Sequence, residues 1–157
     1  MIYSNDGKHG VALLGEIERK IKSSSDVAIA SGYISDDILG QFEGEFYRIA
    51  KNGGKIRLLV GMAFYEGLAG RSLMRLQKIE NKLRSIKGQS GIFVCYTRKF
   101  HGKIYSFGHH KDTDPNIYVG SSNFSRSGLS ENLECTAEIQ DKLTKTEVRD
   151  YLDYLFS

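Results

Sequence analysis

Three short segments in the second half of the chain hold residue types that could act together: His101-Gly102-Lys103, Gly120-Ser121-Ser122-Asn123 and Glu134. On a strand, residues 101 and 103 point to the same face, so an imidazole and an ammonium would stand side by side. Glycine between them lets another chain or a substrate come near. The second segment ends a strand-like run and can present a hydroxyl and an amide. Glu134 opens a further strand-like run and could reach the same end of the sheet. Such a set suits displacement at a phosphodiester. Lys103 and Asn123 can donate to the equatorial oxygens that gather charge during in-line attack. A neutral histidine is a competent nucleophile near neutral pH. A second histidine, protonated, can donate to the leaving oxygen. A carboxylate can fix the tautomer and orientation of the ring. With lysine and asparagine supplying the electrostatics, the set calls for no metal ion and no other cofactor. Each piece alone is common: a His and a Lys two apart on a strand are usually surface or packing residues, and GSxN alone is a turn. The specificity lies in the combination and its order.

Alternating strand and helix patterns must position these residues. Residues 11–23 place Val11, Leu14, Ile17 and Ile21 at helical spacing. Asp26 leads into the β-like run VAIASGY. Ser35 is a good N-cap, followed by Asp36 and Asp37 where the helix dipole favours carboxylates. That helix should turn Ile38, Phe42, Phe46 and Ile49 inward and stop at Asn52-Gly53-Gly54. KIRLLVG, 55–61, is a buried-strand run. Residues 68–87 form the clearest helix, with Leu73, Leu76, Ile79, Leu83 and Ile86 as its apolar stripe. Arg71, Arg75, Lys78 and Lys82 recur on another face, which reads either as a solvated charged surface or as a phosphate-contacting stripe. From 91 onward the chain is β-rich (GIFVCYT, HGKIYSF, NIYVGS, NLECTAEIQ), with a polar loop, HHKDTDP, after Phe107-Gly108. A last helix from about Thr144 to Phe156 should bury Val148, Tyr151, Leu152 and Leu155. The alternation gives an α/β domain: one mixed β-sheet flanked by helices on both faces. A doubly wound nucleotide fold is disfavoured by the missing strand–GxGxxG–helix unit.

Bulk properties agree with one globular domain. The 157 residues are 40% hydrophobic and 26% charged, and one proline leaves no linker. A net charge of +3 permits an anionic partner without demanding one. Cys95 and Cys135, both in apolar strand-like runs, read as buried free thiols of a reducing compartment. The segment MIYSNDGKHGV lacks an apolar signal core, and no apolar run approaches the ~18 residues of a membrane helix. The expected location is the cytoplasm, with no membrane partner.

HGKIY, then GSSNFSRSGL, then NLE resembles the phospholipase D superfamily motif HxK…GSxN…E. In detail it is most similar to the metal-independent restriction endonucleases of the BfiI and NgoFVII type. The motif core spans roughly residues 94–135, and VAIASGYIS and KIRLLVG are compatible with that family's N-terminal half. The resemblance implies a phospholipase D-like catalytic domain over residues 1–157. It implies His101 as the nucleophile that forms a phosphohistidine, Lys103 and Asn123 as phosphate ligands, and Ser121 as a supporting donor. Glu134 would orient the histidine, in preference to Glu131, which falls in the preceding loop. The family's longer motif has an aspartate where this chain has Gly108, which weakens the lipase-like branches more than the nuclease branch. His109, His110, Asp112 and Asp114 read as loop residues. The family's site uses two HxK motifs and this chain has one, so the resemblance implies a homodimer whose two copies of His101 meet across a two-fold axis.

The expected substrate is DNA. Arg71, Arg75, Lys78, Lys82, Arg98 and Arg126 are the candidate phosphate contacts. The alternatives are a phospholipid or other phosphodiester hydrolase of the same superfamily, or a non-catalytic nucleic-acid-binding dimerisation module. Family members of this type carry a separate C-terminal recognition domain. Residues 1–157 contain no helix-turn-helix or zinc finger that could read sequence.

Overall fold

The computed structural model describes residues 1–109 and 114–157, so His110 and Asp112 of the polar loop lie outside the described residues. The elements run β1 (Ile2–Tyr3), α1 (Leu13–Ser23), β2 (Asp26–Ser31), α2 (Asp36–Lys51), β3 (Lys55–Val60), α3 (Ala63–Glu66) and α4 (Gly70–Arg84). They continue with β4 (Gly91–Val94), β5 (Lys103–Gly108), β6 (Asn116–Gly120), a π-helical turn (Ser127–Glu131), β7 (Thr136–Ile139) and α5 (Lys142–Leu155). The strands form one mixed sheet in the order β1-β7-β6-β5-β2-β3-β4. β2, β3 and β4 are parallel, while β5, β6, β7 and β1 continue from β2 in antiparallel pairs.

Two cores fill the two faces, so helices flank the sheet on both sides as the alternation predicts. On one face, β2 and β3 present Val27, Ile29, Ile56 and Leu58 to α1, α2 and α4, joined by Tyr105, Phe107 and Tyr118. On the other, Ala28, Ala30, Leu59, Ile104 and Ile117 meet Leu152 and Phe156 at the end of α5. Period-two alternation along β2 decides which residue serves which core.

α2 begins after Ser35, but that hydroxyl turns to the Asp37 carboxylate rather than to the helix backbone. The helix ends at Lys51, and Gly53 takes φ +79° just beyond it, the left-handed exit that glycine permits. Four expectations need correction. α1 starts at Leu13, not Val11, because Asn5 Oδ1 accepts the Leu13 N–H at 3.1 Å and leaves Val11 exposed in a bridge to Tyr3. In α4 the buried first-turn position is Ser72, so Leu73 faces solvent and the apolar stripe is carried by Leu76, Ile79 and Leu83. Tyr151 of α5 lies half out on the rim, not in the core. Cys135 precedes β7 and is exposed, while Cys95 is half-buried, and both are free thiols. Among the described residues no helix is long and apolar enough to cross a membrane.

α1 is fastened to the sheet by Tyr118, whose hydroxyl donates to Glu16 Oε1 at 2.5 Å, while Arg19 pairs with the same carboxylate at 2.7 Å. Burial pushes the Glu16 carboxyl up, but the hydrogen bonds from Tyr118 and Arg19 outweigh it and hold it below its usual 4.5. A depressed carboxyl contributes stability that is present above the unfolded value and lost as pH falls through the folded one. Glu16→Gln should therefore flatten part of the acid loss in urea midpoints followed downward from about pH 5. Tyr118→Phe should cost about 1–2 kcal/mol at neutral pH in the same measurement.

Candidate active site

The last paired rows of the sheet set the site. Ser31 of β2 is opposite Lys103 of β5, and Gly120 of β6 is opposite Thr136 of β7. One step beyond, the chain leaves each strand, and the residues predicted to act together emerge there. Lys103 begins β5, so His101 lies just before the strand rather than within it. The Lys103 side chain is buried, and its Nζ donates to the His101 carbonyl oxygen at 2.6 Å and lies 3.1 Å from His101 Nδ1. An ammonium only donates. Nδ1 is therefore the acceptor, and a neutral ring carries its proton on Nε2. The ring is exposed and meets Tyr33 edge-to-face at 5.7 Å.

Phe100 sets the angle at which the chain reaches His101. A Cβ on Gly102 would come within 2.6 Å of the Phe100 ring, and one on Gly61 within 2.0 Å of the Phe100 carbonyl oxygen. The glycine between His101 and Lys103 thus makes room for the protein's own phenylalanine, not for an incoming ligand.

The GSSN segment alternates its side chains. Ser121 donates to the Glu134 carboxylate and its Oγ accepts the Cys135 N–H at 2.9 Å. Ser122 is buried and pairs with Thr136 Oγ1 at 2.7 Å, and its carbonyl accepts from the Tyr105 hydroxyl at 2.7 Å. Asn123 returns outward, and its Oδ1 accepts the Tyr33 N–H at 3.2 Å with Ser31 Oγ at 3.3 Å. With the oxygen so held, Nδ2 is the end left to meet an anion. Glu134 precedes β7, is half-buried, and takes its hydrogen bond from Ser121 rather than from His101 of the same protomer. Glu131 closes the π-helical turn and is exposed.

Ser31 and Tyr33 belong to the site although the motif does not mention them. The signal was the SGY that ends the VAIASGY run, where a buried strand finishes in a hydroxyl and a glycine. Ser31 Oγ donates to the Tyr33 carbonyl at 2.6 Å and accepts the Phe124 N–H at 3.0 Å, so it ties the end of β2 to the GSSN loop.

The basic candidates divide. Arg75 pairs with Asp36 at 2.5 Å and Glu43 at 3.1 Å, and Lys78 reaches Glu43 at 3.3 Å. Both are engaged in joining α4 to α2. Arg126 holds Asp37 at 3.0 Å and Gln41 at 3.2 Å on the first turns of α2. Arg71 and Lys82 are exposed on α4, and Arg98 is exposed on the connection into His101. Of the loop acids, Asp114 pairs with Lys145 at 2.8 Å.

Burial lowers the Lys103 pKa from its ordinary 10.5, and the negative charge of Glu134 partly restores it. Between the lowered folded value and the unfolded one, the unfolded chain binds more protons, so stability rises with pH while anion binding by Lys103 fades. Inorganic phosphate binding, followed by NMR line shifts, should fall off below the pH expected for a free lysine. Glu134→Gln should move that fall to lower pH. Ser31→Ala should cost about 1–3 kcal/mol, because the buried Phe124 N–H loses its acceptor, and should weaken the same phosphate signal by releasing Asn123.

Residues 12–156 match the family described as NgoFVII restriction endonuclease N-terminal PLD domain. No curated protein matches the sequence. Among solved structures, the phospholipase D family member Nuc from Salmonella typhimurium superposes with a TM-score of 0.66 at 13% identity, covering 99% of this chain and 92% of that one. NucT from Helicobacter pylori gives 0.64 at 15% identity, over 91% of this chain and 86% of that one. TrmBL2, described as an archaeal chromatin protein with a novel mode of DNA binding, gives 0.56 at 11% identity, over 98% of this chain and 50% of that one. At such identities these structures speak for the fold, and the family match covers nearly the whole chain: the protein belongs to the NgoFVII restriction endonuclease PLD-domain family.

Proposed function

We propose that this domain is a metal-independent DNA endonuclease, the catalytic part of a restriction enzyme, working through a phosphohistidine at a site shared by two protomers. The observation that carries the reading is the Lys103–His101 pair beside the outward amide of Asn123, with Glu134 held by Ser121. Lys103 and Asn123 supply donors to the phosphate oxygens and take the electrostatic part that a metal ion would otherwise fill.

The protonation state separates two roles for one residue. With Lys103 on Nδ1 the His101 ring is neutral and its Nε2–H is a hydrogen-bond donor only. To give a leaving oxygen its proton the ring must be an imidazolium, protonated on both nitrogens, so Lys103 must leave Nδ1 in that role too. Attack by Nε2 needs its lone pair, so the proton must sit on Nδ1 and Lys103 must leave Nδ1 for a phosphate oxygen. Glu134 is the carboxylate that the family pattern assigns to that proton. One His101 then forms the N–P bond as the P–O bond to the leaving group breaks, and the partner's copy gives that oxygen a proton. Water next attacks phosphorus, the N–P bond breaks, and the partner's copy takes a proton from the water. A single HxK per chain supports the two-fold site, as do the exposed Phe64 and Leu133 on segments that flank it.

Plasmid DNA incubated in excess EDTA at low salt should be cut by the wild type. His101→Ala should reduce the rate by at least about a thousandfold. Cleavage that requires added magnesium would overturn the mechanism. Sedimentation should give a dimer, and a strict monomer that still cleaves would remove the shared site.

A further inference from the structure

Next to His101 lies a groove of about 640 Å³ between the connection 95–100 and α5. Its floor is Phe100, whose ring stands 6.4 Å from Tyr151, and Tyr151 stands 6.3 Å from Tyr154 with their planes 19° apart. Tyr96 and Tyr154 are both 68% exposed and Tyr151 46%. That much aromatic surface in water is costly unless something covers it. The charged side chains that line the groove are Arg98 and Lys99, both positive. Glu147, Asp150 and Asp153 of α5 are not among its lining residues, and Asp153 is turned to Arg57 at 3.2 Å.

Rings interleaved with cations fit one kind of occupant, a strand whose bases are unpaired. Bases stack on tyrosines, and phosphates meet Arg98 and Lys99. A duplex hides the faces of its bases and would meet only the cations. A second copy of this chain docking groove to groove would set Arg98 and Lys99 against themselves. Phe100, on the floor of the groove, is also the residue before His101. We propose that it is the channel for an unpaired strand leading to His101. The enzyme would then engage single-stranded or locally opened nucleic acid, with Tyr96, Tyr151 and Tyr154 stacking on bases beside the scissile phosphate. This inference rests on the nuclease reading for what happens at His101, but the binding it predicts is independent of cleavage.

The test is fluorescence anisotropy of a labelled oligothymidylate of about a dozen nucleotides and of a hairpin duplex with as many phosphates. His101→Ala protein in EDTA serves as the parent. The single strand should bind more tightly than the hairpin. Tyr154→Ala and Tyr151→Ala should each weaken it roughly tenfold or more while changing hairpin binding little, and Tyr154→Trp should restore it. Arg98→Ala should reduce the salt slope for the single strand by about 0.7. Equal binding by parent and tyrosine variants would overturn the channel, as would tyrosine variants that turn a dimer into a monomer in sedimentation. Groove-dependent binding without cleavage by the wild type would uphold the channel and remove the nuclease reading. Cleavage with groove-independent binding would do the reverse.

Discussion

Ser31 Oγ is fully buried at the point where the parallel and antiparallel halves of the sheet meet, and it serves both. It gives its proton to the Tyr33 carbonyl and receives the Phe124 N–H, so the loop after β2 and the loop after β6 are closed on one another. The same closure brings the Tyr33 N–H onto Asn123 Oδ1 and completes the bridge between Ile34 and Phe124. A buried hydroxyl with its donor and acceptor both used defines one geometry, because losing either partner leaves a polar group without water. The direction of the Asn123 amide, and with it half of the proposed anion cradle, follows from that single side chain.

The other half follows from burying Lys103. An ammonium removed from water needs fixed acceptors, and it finds them in the His101 carbonyl and Nδ1. Glu134 compensates the charge without touching it, because Ser121 keeps the carboxylate in place. The lysine thereby controls which histidine nitrogen holds the proton. Under the proposed mechanism, substrate binding and histidine activation are one event, since a phosphate oxygen would compete with Nδ1 for the same ammonium. The two faces of the sheet divide the remaining work. α1, α2 and α4 build the thick core behind the site, and α5, packed over Ala28 and Ala30, leaves its tyrosines along the groove floored by Phe100.

Electrostatics at the surface are less generous than the composition suggests. A net charge of +3 is a small excess of cations over carboxylates, and several of the cations are engaged in ion pairs. Arg75, Lys78 and Arg126 are tied to carboxylates or amides of α2, so their positive charge joins helices. Arg98 and Lys99 remain beside the site, where the rings are also exposed.

The sequence alone determined the fold class, the longer strands and helices and the spacing of the candidate constellation, while β1, α3 and the π-helical turn are too short for periodicity to mark. Hydrophobic periodicity and terminator residues are local physics, and HxK, GSxN and NLE are local spacings. The strand pattern also put Glu134 at the approach to β7 and Glu131 in the connection before it. The sequence misplaced what depends on contacts between distant segments. Val11 is excluded from α1 by Asn5, and Leu73 loses its buried place to Ser72. Cys135 faces out where an apolar run suggested burial, and Gly102 makes room for Phe100 rather than for a ligand. Ser31 and Tyr33 entered the site only in three dimensions, because a strand end carries no mark of which loop will close on it. Likewise, the spacing of Arg71, Arg75, Lys78 and Lys82 described a helix face, but only the packing of α4 against α2 decided which of those charges met carboxylates and which stayed in solvent.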